Sequence, residues 1–148
     1  MNTHPYVRGY MAGIVVPTIF LLLVMTGYFF WRFVMQVPVP IERVIAFPMA
    51  AVPNLWGLWN MLYVRLRQGR HLPIGVHGML LVFVLSPLGV ATATAAHFLA
   101  ASESGITYFG MVHVNYGLAV LALCAALTVY YLVWKYFVNF FNELLGVA

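Results

Sequence analysis

The sequence predicts an all-α integral membrane protein: a four-transmembrane-helix antiparallel bundle with proline-kinked helices 1–3 and an amphipathic C-terminal extension of helix 4. Three observations carry this expectation. Of 148 residues, 64% are hydrophobic and only 7% charged, where a soluble domain has about a quarter of its residues charged. Four apolar stretches each reach the roughly 20 residues that cross a ~30 Å hydrocarbon core. The links between them, "QVPVPIE", "RQGRHL" and "AASESGIT", are short enough to make sequential helices antiparallel neighbours.

The first stretch runs from about residue 9 to 35, the second from 44 to 64, the third from 73 to 99 and the fourth from 109 to 135. They form one transmembrane domain over residues 1–148, with no repeat or low-complexity segment. The apolar core near the N-terminus is followed by bulky residues and no small-x-small cleavage site, so it is expected to stay as a helix. The tail at 136–145 differs. Phe137, Phe140, Phe141, Leu144 and Leu145 follow the i, i+3, i+4, i+7, i+8 spacing of one helical face. That pattern suits a helix lying on the interface or against a partner, or a plain extension of helix 4.

Charge placement gives an orientation. The net charge of +4 comes from few residues and points to no nucleic acid. With four spans, both termini share one side, together with Arg8, Arg65, Arg67, Arg70 and Lys135. Only Arg32 and Arg43 fall opposite. The excess of basic residues marks the cytoplasmic side, so both termini are expected there and Arg65, Arg67 and Arg70 act as topology anchors.

Several chemistries are disfavoured. No Asp, Glu, Lys or Arg lies near the middle of a span, which argues against proton-coupled transport through a buried carboxylate. The single cysteine, Cys124, rules out a dithiol centre or a cysteine zinc site within this chain. No nucleophile–base pair or carboxylate cluster is visible, and no catalytic or metal-ligating set is assigned. The buried polar residues are mild: Thr18, Thr26, Asn54, Asn60, Ser86, Thr92, Thr94, Asn115 and Thr128. Their expected role is hydrogen bonding between helices.

Histidine pairs invite a test for haem. His77 and His97 are twenty residues apart, roughly 30 Å along a helix, and point to nearly opposite faces, so they cannot share one haem. His97 and His113 are the better pair. One ends helix 3 and the other is expected in the first turns of helix 4. Two facing imidazoles can take a b-type haem, and with Glu103 in the loop a divalent metal, although no ligand spacing singles out either.

Small residues and prolines speak of assembly. Gly9 and Gly13 share a face of helix 1, as do Gly89 and Ala93 on helix 3; such faces let helices approach closely, within a bundle or between copies. Trp56, Asn60 and Tyr63 share a face of helix 2 that should meet another helix. Pro17, Pro48, Pro53 and Pro87 each remove a backbone donor, and interior prolines bend helices. In "PNLWG", Asn54 follows Pro53 near mid-span, and a kinked span with Asn54 bonding a neighbour is preferred over a broken helix.

The functional expectation is a structural or accessory subunit, or a self-associating helical bundle, whose partners are the bilayer and other membrane subunits or copies of itself. An electron-transfer subunit holding haem through His97 and His113 is the alternative. A pore or carrier for a neutral or lipophilic solute is the second.

Overall fold

A computed structural model describes residues 4–38, 51–67, 69, 72–110 and 112–147. The chain divides into two compact units, Met1–Leu72 with Tyr136–Ala148, and Pro73–Lys135. Among the described residues, three helices are long and apolar enough to cross a membrane: Pro5–Val34, Ile74–Ala95 and Tyr116–Leu144.

The first unit is built on α1 (Pro5–Phe29) and α2 (Val52–Leu66). Pro5 opens α1 at a position where the missing N–H has no intrahelical partner to lose. Its last turn widens into a π turn over Phe30–Val34. Gly9, Ala12, Gly13, Pro17 and Leu21 form the buried stripe, and Ile19, Phe20, Leu22, Leu23 and Phe29 are among the exposed apolar residues. The α2 stripe is Trp56, Gly57, Asn60 and Val64, so Val64 is buried on this face and Tyr63 half-buried at its edge.

Glycine sets the distance between these helices. A Cβ on Gly13 would lie 2.7 Å from the Trp56 carbonyl oxygen and 2.9 Å from the Gly57 Cα. A Cβ on Gly57 would lie 2.6 Å from the Tyr10 ring. Gly9 meets Val64 and Gly13 meets Gly57, so α1 and α2 run antiparallel. The Gly9–Gly13 face is closed within this unit, by backbone-to-backbone packing of the kind small residues allow.

Two expectations change here. The second span was expected from residue 44, but Pro48 and most of the segment before α2 lie outside the described residues, as does Arg70. Within the described residues α2 begins at Val52, so Pro53 is its second residue rather than an interior kink. Proline is tolerated there because first-turn N–H groups lack intrahelical acceptors. Pro17 and Pro87, by contrast, lie inside helices that continue past them.

The second unit contains α3 (Ile74–Ala95), a three-stranded antiparallel meander and α4 (Tyr116–Val133). The strands are β1 (Leu99–Ser102), β2 (Gly105–Tyr108) and β3 (Val112–Asn115). This corrects the all-α expectation: "AASESGIT" is a hairpin, and the fourth helix starts at Tyr116 instead of near residue 109. Ser102 pairs with Gly105, leaving Glu103 and Ser104 as a two-residue turn. A second turn carries positive φ at Phe109 (54°) and Gly110 (69°), and the Phe98 and Phe109 rings stack 5.3 Å apart beneath it. Asn115 ends the sheet and caps α4, its Oδ1 accepting the Leu118 N–H at 2.7 Å, which satisfies one of the first-turn donors.

On α3 the buried residues Ile74, Gly75, His77, Gly78, Leu81, Val82, Leu85 and Ala93 form one stripe. Glycine again admits a neighbour: Cβ atoms on Gly75 and Gly78 would lie 2.7 Å from the Tyr131 ring and 2.5 Å from the Trp134 ring. Helix α4 has no buried residue. After it comes a π turn over Trp134–Val138 and then α5 (Asn139–Leu144).

Gly13→Leu is expected to destabilise the α1–α2 pair by about 1–3 kcal/mol, because the new side chain meets backbone that cannot rotate away. Gly27, with nothing within 4 Å of a Cβ, should accept Ala with a gain of up to ~1 kcal/mol from helix propensity. Thermal unfolding of the two variants in detergent checks this; equal losses would refute the close-packing account.

Candidate functional site

The most strongly built polar feature lies in the first unit. Asn60 and Asn142 are both fully buried, an arrangement that costs free energy unless each polar atom finds a partner. Asn60 Nδ2 donates to the Gly9 carbonyl at 2.7 Å and to Asn142 Oδ1 at 2.7 Å. Asn142 Nδ2 returns a bond to Asn60 Oδ1 at 3.1 Å. Three segments distant in sequence are thereby tied at one point: the first turns of α1, the middle of α2 and the C-terminal α5.

The chain end beyond this point is fixed as well. Gly146 has φ 63° and donates to the Glu143 carbonyl at 3.0 Å, and Val147 donates to the Asn142 carbonyl at 2.7 Å. This is a Schellman C-cap, with glycine in the left-handed position that it occupies at least cost. Val147 is buried, and Arg8 Nη1 reaches the Leu145 carbonyl at 3.5 Å. The tail is therefore docked through Val138, Asn142 and Val147, while Phe137, Phe140 and Leu144 remain exposed. The polar side of the predicted amphipathic tail supplies its buried anchor, and the apolar side is the free one.

Asn54 is exposed and accepts a bond from the Tyr10 hydroxyl, across the same α1–α2 seam. Arg65 and Arg67 end α2. The threonines correct a sequence expectation. Thr18, Thr26, Thr92 and Thr128 each donate to the carbonyl four residues earlier in their own helix, to Ile14, Leu22, Leu88 and Cys124 respectively. A hydroxyl one helical turn above a carbonyl finds it without any neighbouring helix.

In the second unit, the two histidines proposed as haem ligands occupy different local settings. His97 lies beyond α3 with φ 59°; its N–H donates to the Thr94 carbonyl, and that of Phe98 to the Ala93 carbonyl. It fills the left-handed position of a second Schellman cap, where glycine is usual. His113 lies on β3, not in a helix, opposite Thr107, with Nδ1 3.2 Å from the Thr107 hydroxyl. Among the described residues no group of three or more His, Cys, Asp or Glu is arranged to hold a metal. Gly89 is half-buried and Ala93 buried, with the Gly89 carbonyl accepting from Thr92. His77 is buried between Gly75 and Gly78 on the α3 stripe.

Sequence reasoning did not single out Asn142, Gly57, Gly75 or Gly78 as site residues. The glycines were legible as small residues at helical spacing, Gly75 and Gly78 in "PIGVHG". Asn142 was not, since its burial depends on Asn60, which lies 82 residues away in sequence. No protein family, curated protein or solved structure matches the chain.

An amide pair has no proton to exchange near neutral pH, so the Asn60–Asn142 site can fix a geometry but not relay charge. Asn142→Ala should lower stability by about 1–3 kcal/mol by stranding buried groups of Asn60. In a double-mutant cycle with Asn60→Ala, a coupling of about 0.5–2 kcal/mol is expected. Strict additivity in thermal unfolding would show that the reciprocal bond is not what holds the tail.

Proposed function

We propose that the chain is a four-span integral membrane protein with both termini in the cytoplasm, serving as a structural subunit that assembles with copies of itself through α4. The observation that carries this reading is α4 itself: eighteen residues, apolar throughout, with none buried. One exposed face runs through Gly117, Val120, Leu121, Cys124 and Thr128, at i, i+3, i+4, i+7 and i+11; Val120 and Leu121 are 60% and 64% exposed. Small residues interleaved with aliphatic ones are the composition with which membrane helices associate. In this reading α1, with its outward apolar surface, is covered by lipid.

The fourth span is the one expected from the apolar sequence between Val44 and Val64, of which α2 is the described part. Alone, α2 is about 22 Å long, and the apolar sequence back to Val44 brings it to spanning length. An even number of crossings is supported by the Arg8–Leu145 contact, which brings the first turn of α1 and the end of α5 together within one unit. The basic residues at that end, Arg8, Arg65 and Arg67, favour the cytoplasm.

Cys124 is the one cysteine of the chain and is exposed on the assembling face, which makes it a native probe. Oxidative cross-linking in isolated membranes should give a reducible band at twice the 16.6 kDa chain mass, absent in Cys124→Ser. A monomer under every oxidant condition would overturn assembly through α4.

A further inference from the structure

A second feature of the first unit lies on its surface, where the start of α1 and the end of α2 meet. A groove of about 480 Å³ is lined there by Tyr6, Met61, Leu62 and Arg65. Tyr6 belongs to the first turn of α1 and Arg65 to the last turn of α2. The antiparallel packing at Gly9 and Gly13 brings these ends side by side. Met61, Leu62 and Arg65 project on one side of α2 by their i, i+1, i+4 spacing.

The four residues form a two-part surface. Arg65 supplies a guanidinium whose planar fork suits the oxygens of a phosphate, and Tyr6 supplies a hydroxyl donor on an aromatic body suited to the headgroup level. Met61 and Leu62 supply an apolar wall. Arg8, nearby in sequence, is directed to the Leu145 carbonyl, and Arg65 is the cation among the described lining residues. Among the described residues no carboxylate lines it.

We propose that this groove binds the headgroup of an anionic glycerophospholipid, with the phosphate on Arg65 and Tyr6 and the upper acyl chain along Met61 and Leu62. The apolar wall decides between sources of phosphate: a free phosphate ion gains nothing from Met61 and Leu62, whereas a lipid buries methylene groups there at about 0.8 kcal/mol each. Basic pockets between helices on the cytoplasmic side are where anionic headgroups are held. The site rests on the membrane orientation proposed above, which puts this end of the unit in the cytoplasmic leaflet. The lipid there is an annular ligand of α1 and α2.

The test uses the full chain in nanodiscs of mixed phosphatidylcholine and phosphatidylglycerol, with bound lipid read by native mass spectrometry. The wild type should retain phosphatidylglycerol above its bulk fraction. Arg65→Gln should reduce that enrichment about five-fold, since one basic residue near the surface contributes about 1 kcal/mol. Arg65→Lys should fall between, keeping the charge without the fork, and Tyr6→Phe should lose part of the enrichment. Arg32→Gln, in the π turn that ends α1, should leave it unchanged. Millimolar inorganic phosphate should not displace the lipid. Equal retention of both lipids by the wild type, no effect of Arg65→Gln in a variant of unchanged helicity, or displacement by inorganic phosphate would each overturn the proposal. A chain that enters no bilayer overturns the membrane reading and this site with it, an outcome distinct from a reconstituted protein that shows no lipid preference.

Discussion

The first unit depends on how close two backbones can come. At Gly13 and Gly57 there is no room for a methyl group, and only at that separation does the Asn60 amide reach the Gly9 carbonyl. The hydrogen bond and the close approach require each other: a wider gap would strand a buried amide, and without the amide the contact would rest on dispersion alone. Within a membrane the apolar surroundings give helices little reason to pair, so packing and a few satisfied polar groups must supply the specificity. Here the two coincide within one turn.

The same amide recruits the chain end. Asn60 has two amide protons and one oxygen to satisfy, and α1 takes only one of them. Asn142 takes the rest through a reciprocal pair, so docking of α5 completes a site that α1 and α2 leave unfinished. The Schellman cap at Gly146 and the burial of Val147 follow, because a helix ending beside Asn60 must close its last carbonyls locally. The apolar face of Phe137, Phe140 and Leu144 is thereby turned outward, where lipid or another chain can cover it.

Hydropathy made the long helices legible, since α1, α3 and α4 differ so strongly from a soluble sequence that their existence needed no packing information. Their faces were legible in part. Gly9, Gly13, Trp56 and Asn60 could be read because regular α-helix keeps a fixed phase of about 100° per residue. The sheet was hidden. Its strands are four residues each, below the length at which alternation stands out, and "MVHVNYG" reads as apolar sequence continuous with α4. The clues were the β-branched and aromatic residues of "ITY" and "VHV", with Asn115 as a helix cap. His113 was misplaced for the same reason, being read into a helix that starts three residues later.

The tail shows what periodicity leaves open, which is the side of a helix that is buried. A π turn accommodates one more residue than an α turn, so the Trp134–Val138 segment advances the face by roughly 100° relative to uninterrupted α-helix. Beyond it the spacing is regular again, and Val138 and Asn142, four residues apart, are both buried. Asn142 lies off the apolar stripe of the tail in the sequence, and that off-stripe position is the one that meets Asn60. A π turn is less favourable than the α turn it replaces and persists when the surroundings return a compensating interaction. In this chain the reciprocal amide pair holds the helix end that follows the irregular turn at the glycine seam of the first unit.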